Sequence, residues 1–434
     1  MNIDYILNNS EKYKEMLSKR FKNPEIIEDL RKAKQEYLND LIISENLNKD
    51  HNELSKLISS IKKNGLTDEN KYKIINIFLN ELDYTNEDIV FFVIDKIKSI
   101  QNKKNMMATE TAKKLNNIKQ IVSEIPNLLD LSVTISNTED DNQTVFQTEI
   151  CERKKYGQYE LCLKAKIYES AIEIAGNRGY FLTGDGVKLN CALLLYAQDF
   201  ITKRGYKLMQ TPMFMTNESM KIVCQLSEFD ETLYKLKDGE SEDKYLIATS
   251  EQPLTAYFNK KKINNLPIRL CGISSCFRRE AGKHGKDTNG MFRVHQFEKV
   301  EQFCVTDSQT SYEMMEEMLQ NAKDFYDSLG IQYRVVSIVS GALNNAASKK
   351  YDIEGWFPGS GEFRELVSCS NTTDYFSRRL DTKDNHNQLC HMLNSTLYAN
   401  TRTICCLMEM YQMDDYIKIP DVLIPYFGKE HITF

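Results

Sequence analysis

A repeated seam constrains this 434-residue chain most. Leu47, His51, Leu54, Ile58 and Ile61 follow one another at steps of four and three, and so do Thr111, Leu115, Ile118, Val122 and Ile125. That spacing puts each set along one side of an α-helix, as in coiled coils. The rest of each helix is polar, so each must bury its seam against a partner. Gly65 and the polar stretch after it separate the two. The pair is therefore expected to fold back as an antiparallel hairpin, although an ordinary helical bundle would satisfy the same seams. Asp40 and Ser44 fall on the upstream part of the first seam and weaken it. Residues 66–105 hold Ile74, Ile77, Phe78, Leu82 and a run from Ile89 to Ile100. This is more apolar surface than a bare tip needs, so they read as an insertion near the tip or a lengthened arm. Residues 137–142 read as a linker or turn.

Composition narrows the class. Hydrophobic residues make up 41% and charged residues 27%, as in soluble globular proteins. The net charge of −6 argues against a uniformly basic nucleic-acid binder but leaves room for a local basic patch. Eleven cysteines without a CxxC pair read as reduced cytosolic thiols rather than a disulfide framework or a zinc site. The opening MNIDYILNNSEKYKE has no signal-peptide stretch, and no apolar run is long enough to span a bilayer. A cytoplasmic location with no membrane partner is expected.

From about residue 155 the texture becomes mixed. Residues 165–175, 188–204, 311–329 and 395–411 read as helices. Residues 205–212, 244–249, 268–281, 291–306, 332–340 and 363–370 read as strands, many of them alternating. The expectation is an α+β domain with a largely antiparallel sheet. There is no GxxxxGK[ST] or GxGxxG loop, so any nucleotide would be held by side chains.

The strongest local signal is CFRREAGKHGKDTNGMFRVHQFEKVEQF at 276–303. Read as two strands, it puts Arg278 and Glu280 on one face, and Arg293, His295, Phe297, Lys299 and Glu301 on one face. The loop between them carries Lys283, His284 and Lys286. Guanidiniums fork a phosphate, a ring stacks on a base, and a carboxylate takes an ammonium group. The set suits a nucleotide plus a small amphoteric substrate. On these residues alone, a solvated hairpin crossed by salt bridges remains an equal reading.

This segment resembles motif 2 of class II aminoacyl-tRNA synthetases, in the wording of the seryl-tRNA synthetase family. The resemblance runs through QLSEFDETLYK at 225–235, LIATSEQPLTAY at 246–257, SGALNNAASKKYDIEGWFPG at 340–359, FRELVSCSNTTDYFSRR at 363–379 and HMLNSTLYANTRTICCLMEMYQ at 391–412. The N-terminal opening, with SKRF, resembles that family's tRNA-binding arm more loosely. The resemblance implies a helical arm at 1–124 and a catalytic domain at 125–434, an antiparallel sheet flanked by helices with a projecting coiled-coil hairpin. YANTR lacks the glycines of many class II third motifs, as eukaryote-like seryl enzymes do. Thr211-Pro212 resembles motif 1, which implies a homodimer.

The resemblance also implies roles. Arg278 would hold the α-phosphate of ATP and the serine carboxylate. Glu280 would lie near the adenine amino group, Arg293 on the triphosphate, and Phe297 under the adenine. Val294, Leu366 and Val367 complete the ATP site. Glu365 and Ser368 would hold Mg²⁺ and the phosphates, and Arg402 the γ-phosphate and the upper face of the adenine. Thr249, Glu251, Asn394 and Thr396 would form the serine pocket, with Glu301 receiving the ammonium group. Thr249 and Glu251 share a face if the segment is a strand. Glu365 and Ser368 do not, so a bulge or strand end is required there. No zinc is implied. The expected partners are L-serine, ATP and tRNA(Ser), with tRNA(Sec) open. Lys62, Lys63, Lys103, Lys104, Lys113 and Lys114 are candidate phosphate contacts on the arm, or simply a solvated helix surface. Two other readings stand beside this one: a class II enzyme for another amino acid, and a catalytically silent RNA-binding paralogue.

Overall fold

The structure is a computed structural model that describes residues 3–65, 67–69, 86–224, 229, 232–237, 239, 242–280 and 289–434. Lys283, His284 and Lys286, most of the QLSEFDE run, and Ile74, Ile77, Phe78 and Leu82 lie outside the described residues. The chain divides into two compact units. One comprises residues 3–10 and 24–123, and the other residues 11–23 and 124–434.

The first unit is a helical pair, α1 (Ile26–Asn64) and α2 (Asn86–Glu124). Leu54, Leu57, Ile58 and Ile61 of α1 pack with Val93 and Ile100 of α2. Further back on α1, Asp40 meets Lys114 of α2 at 2.8 Å. The partner number rises as the α1 number falls, so the helices run antiparallel. The seam is longer than its apolar part. Ala33, Tyr37, Asp40 and Ser44 continue it upstream, all wholly or partly buried. The Lys114 ammonium group satisfies the carboxylate there, and Lys104 also takes a half-buried seam position. Lys113 pairs with Glu110 at 2.8 Å. Because α2 begins at Asn86, residues 86–105 are part of the second long helix of the arm.

The second unit is built on an eight-stranded sheet. Its strands are β1 (Gln143–Gln147), β2 (Lys207–Gln210), β3 (Ile268–Phe277), β4 (Gln296–Thr306), β5 (Tyr333–Ser337), β6 (Lys349–Phe357), β7 (Glu362–Asn371) and β8 (His391–Ala399). Their order is β1-β5-β6-β7-β8-β4-β3-β2, antiparallel except for the β2–β3 edge. Helices α3 (Asp185–Thr202), α5 (Ser311–Ser328) and α6 (Asn400–Met410) share the main core with Val300, Cys304, Val367 and Leu393 of the sheet. Helix α5 shows why it forms: Met314, Met315, Met318, Leu319, Ala322, Phe325 and Tyr326 recur at helical spacing and are all buried. A second core lies around the short helix α4 (Glu251–Tyr257), with Leu254, Leu270, Phe303 and Met392.

Four expectations need correction. Residues 395–399 are strand, not helix. They end β8, which lies between β7 and β4 and is buried on both faces, so no alternation marks it. Strand β6 was not foreseen. Residues 165–175 form no single helix; Gln158–Lys164 and Ile172–Ala175 are helical, with a short strand, Tyr168–Ser170, between them. Residues 11–23 belong with the sheet unit rather than the arm. Tyr13, Met16 and Leu17 are buried, and the buried Arg20 guanidinium donates to the backbone oxygens of Asn344 and Ala347. All eleven cysteines are free. Among the described residues no helix is long and apolar enough to cross a membrane.

Candidate active site

The site is built at the neck of the β3–β4 hairpin. These strands pair in register from Ile268↔Val305 to Phe277↔Gln296. Arg278 follows β3, and its N–H donates to His295 O at 2.9 Å. Its guanidinium donates to Ala248 O at 3.3 Å and lies 5.1 Å from the Phe297 ring centroid. Glu280 adopts a left-handed φ of 52°, which a non-glycine residue avoids unless its surroundings hold it there. Its carboxylate accepts from Arg293 at 2.8 Å.

Two cavities open on this neck. One is lined by Arg278, Glu280, Phe292, Arg293, Val294, Phe297, Glu365, Leu366, Thr396 and Arg402, among others. The second, of about 320 Å³, is lined by Thr249, Glu251, Asn394, Lys350 and Arg379, among others. Arg278, Lys299, Glu365 and Ser368 border both.

The required irregularity on β7 is present. Ile353 pairs with Val367, but the next residue, Glu354, pairs with Glu365, which leaves Leu366 as the extra residue of a bulge. Glu365, Leu366 and Ser368 therefore all reach the first cavity. Val367 is not brought to it; its side chain is fully buried in the main core. Glu365 sits among many protein atoms yet keeps 45% of its side chain exposed, because it faces the open cavity. Burial alone would raise its pKa. Arg402 (3.1 Å), Lys350 and Arg278 outweigh this and draw it down to about 2. Asp352, its buried neighbour on β6, moves the other way, pushed up to about 7 by burial and only partly offset by Lys350 at 3.0 Å.

Thr249 and Glu251 come together by a different route from strand alternation. The strand ends at Leu246, and helix α4 begins at Glu251. The turn between them points both side chains into the second cavity, with Glu251 N donating to Thr249 Oγ1 at 3.3 Å. The turn can sit this close to the sheet because residue 272 on β3 is glycine. A Cβ there would lie 2.7 Å from Ser250 Oγ and 2.9 Å from Leu254.

Glu301 lines neither of these two cavities. It is fully buried, ion-paired with Lys299, and accepts from Asn394 and Thr396 at 3.4 Å each. Lys299 bridges it to Thr249 at 3.3 Å and is itself one of the residues that border both cavities. His295 also leaves the expected face and lines a different cavity. Sequence reasoning missed Phe292, whose ring lies 4.6 Å from the Arg364 guanidinium and 5.2 Å from that of Arg402. The signal was present in the GMFR segment, an aromatic beside a phosphate-type arginine. Arg402 itself stands in the first turn of α6, directly after β8.

Similarity to known proteins places the chain in a family. Residues 1–89 match the family model described as seryl-tRNA synthetase N-terminal domain, and residues 234–411 match the tRNA synthetase class II core domain (G, H, P, S and T). The cytoplasmic serine–tRNA ligase of Arabidopsis thaliana is 41% identical over 443 residues, covering 98% of this chain and 93% of the relative. The crystal structure of the cytoplasmic serine–tRNA ligase of Naegleria fowleri in complex with AMP has a TM-score of 0.79 at 40% identity, over 98% of this chain and 96% of that one. Seryl-tRNA synthetase of Pyrococcus horikoshii complexed with ATP has a TM-score of 0.81 at 30% identity, over 100% and 99%. With identity at this level along nearly the whole length, the chain belongs to the seryl-tRNA synthetase family of class II aminoacyl-tRNA synthetases.

Proposed function

We propose that this chain activates L-serine with ATP and transfers it to the 3′ end of tRNA(Ser), in the cytoplasm where its named relatives act. The observation that carries this reading is the pair of cavities that meet at Arg278. One has a ring, Phe297, and the phosphate-type cations Arg293 and Arg402, which suits ATP. The other has the hydroxyl, carboxylate and amide of Thr249, Glu251 and Asn394, which suits a small amino acid.

The first step is attack of the serine carboxylate on the α-phosphorus, with pyrophosphate leaving. The nucleophile is an anion at neutral pH, so no base is needed. Arg278, bordering both cavities, aligns the carboxylate with the α-phosphate and offsets charge there. Arg402 does the same at the far phosphates, and Phe297 and Arg402 sandwich the adenine. Glu365 and the Ser368 hydroxyl are hard oxygen donors on one wall. With phosphate oxygens they make the kind of set that Mg²⁺ takes, and Mg²⁺ held there would neutralise phosphate charge. Lys299 must give way for the serine ammonium group to approach Glu301. In the second step a ribose hydroxyl at the tRNA 3′ end attacks the adenylate carbonyl and AMP leaves. Residues 24–123 serve as the tRNA arm and 124–434 as the catalytic body, with tRNA(Sec) a second candidate acceptor. A homodimer is supported by apolar side chains exposed in the motif 1 region, such as Val187, Leu195 and Leu208.

Glu251 gives serine its advantage. Its carboxylate accepts from the serine hydroxyl, a bond that alanine cannot make, a discrimination of roughly 10⁴-fold. The test is binding of a non-hydrolysable seryl-adenylate analogue, followed by thermal unfolding. The parent should be stabilised, Phe297→Ala and Glu251→Ala much less so, and an alanyl analogue should do little. Equal stabilisation by both analogues contradicts the reading.

A further inference from the structure

A third cavity, of about 300 Å³, lies at the same neck and takes no part in the chemistry above. Its walls include Arg178, Tyr180, Tyr234, Phe277, His295 and Gln296. Phe277 and Gln296 are the last paired residues of β3 and β4, so the cavity begins where the hairpin ladder ends. It is joined to the reaction centre through the backbone. His295 Nδ1 lies 2.9 Å from Arg278 O, and Arg178 donates to Arg293 O at 3.2 Å. The residues that present the two phosphate-facing guanidiniums in front are thus held from behind by side chains of this cavity.

We propose that this cavity receives a base of the single-stranded 3′ end of tRNA, next to the terminal nucleotide that enters the serine cavity. The proposal rests on the tRNA-charging reading above. The wall chemistry selects the ligand class. Tyr180, Tyr234, Phe277 and His295 supply rings, and Tyr234 and His295 stand edge to face with centroids 6.1 Å apart. Single-stranded RNA is bound by such rings, because every base has a face to stack. Arg178 adds a cation that suits the adjoining phosphate. A carbonyl can only accept, so His295 Nδ1 is the donor to Arg278 O, and Nε2 is the ring nitrogen left for a ligand. Unprotonated, it suits a base with an exocyclic amine. The volume lies at the small end of ligand sites and fits one base rather than a peptide segment. His295, on its wall, touches the backbone of residue 278, whose guanidinium borders both other cavities, so the 3′ end of one tRNA could place neighbouring nucleotides on the two sides of that residue.

The test uses the full-length protein with Tyr234→Leu, which keeps apolar bulk but removes the ring, and Tyr234→Phe, which keeps the ring. Three measurements separate the outcomes: serine-dependent ATP–pyrophosphate exchange, aminoacylation of a tRNA(Ser) transcript, and binding of that transcript with and without its unpaired 3′ nucleotides. Tyr234→Leu should exchange pyrophosphate like the parent, while its aminoacylation kcat/KM falls about tenfold or more, the loss of one base stack. Tyr234→Phe should stay near the parent. Tyr234→Leu should also lose affinity for the intact transcript but not for the trimmed one. Unchanged aminoacylation overturns the proposal. So does a parallel fall in pyrophosphate exchange, which would make the cavity a support for adenylation, or dissociation into monomers, which would make it part of the subunit contact. Absence of exchange in the parent would instead sink the charging reading itself.

Discussion

The helical pair and the sheet unit bury their charges differently. In the pair, one thin seam holds two 39-residue helices together, and that seam still carries Asp40, Ser44, Lys104 and Lys114. In the sheet unit the buried carboxylates lie deeper, Glu301 and Glu409 being fully enclosed, and each is met by donors of its own. Glu301 lies under Lys299, Asp352 beside Lys350, and the Glu409 carboxylate accepts from Gln158 N and Ser360 N at 2.7 and 2.9 Å. A seam needs only to keep two helices in register, so polar positions cost it little. A catalytic wall needs each side chain within tenths of an ångström, so every charge is fixed by a neighbour. The comparison implies a division of labour: damage to the pair should touch tRNA use alone, and damage to the wall should touch adenylation.

The largest effect is expected from Arg402→Ala. Removing a preorganised charge at the triphosphate should lower serine-dependent pyrophosphate exchange by about 10²–10³-fold, with folding intact. A loss below roughly tenfold would break the assignment of this wall. Leu54→Ala attacks the other region. A buried leucine in a packed contact is worth about 2–5 kcal/mol, and Leu54 is 2% exposed. Hydrogen exchange along α1 and α2 should speed up and the KM for tRNA should rise, with pyrophosphate exchange unchanged; a fall in that exchange would erase the division. Glu365 gives a pH test. Its folded pKa, about 2, lies below the ordinary 4.5, because Arg402, Lys350 and Arg278 overcome the opposing effect of burial. Its contribution to stability is therefore complete above about pH 4.5 and fades as pH falls toward 2. Glu365→Gln should melt lower than the parent at pH 7, with the gap closing below pH 4.5. A gap that stays constant to pH 3 would mean those cations do not hold this carboxylate. The smallest effect is expected on the seam. Changing Asp40 and Lys114 together to leucine should leave the melting of the pair unchanged or slightly raised. A clear loss would show that the ion pair is doing more than filling a polar gap.

How far the sequence could be read follows the same contrast. The seams were legible because steps of four and three survive wherever a helix buries one side, and Ile118 and Val122 are buried as that pattern requires. The end of β8 was misread because a strand buried on both faces shows neither alternation nor helical period. An irregularity between Glu365 and Ser368, a bulge or a strand end, was legible because the two could serve one site only if strict pairing failed; the structure makes it a bulge at Leu366. Alternation misled elsewhere. It put His295 with Phe297, although β4 starts only at Gln296. It explained Thr249 and Glu251 by a strand where a strand-to-helix turn, seated on Gly272, does the work. It also left Glu301 open to substrate, because pairing with Lys299 two residues away on the same face depends on how deeply that face is buried.

The central claim is that Arg278 joins an ATP cavity to a serine cavity. It is tested most directly by ATP–pyrophosphate exchange on the purified protein, with serine, alanine and threonine compared, and with Arg278→Ala alongside. Exchange driven by serine alone, and abolished in Arg278→Ala while that variant remains folded, is the result expected. Exchange that persists in Arg278→Ala, or that alanine or threonine supports as well as serine, would contradict the claim.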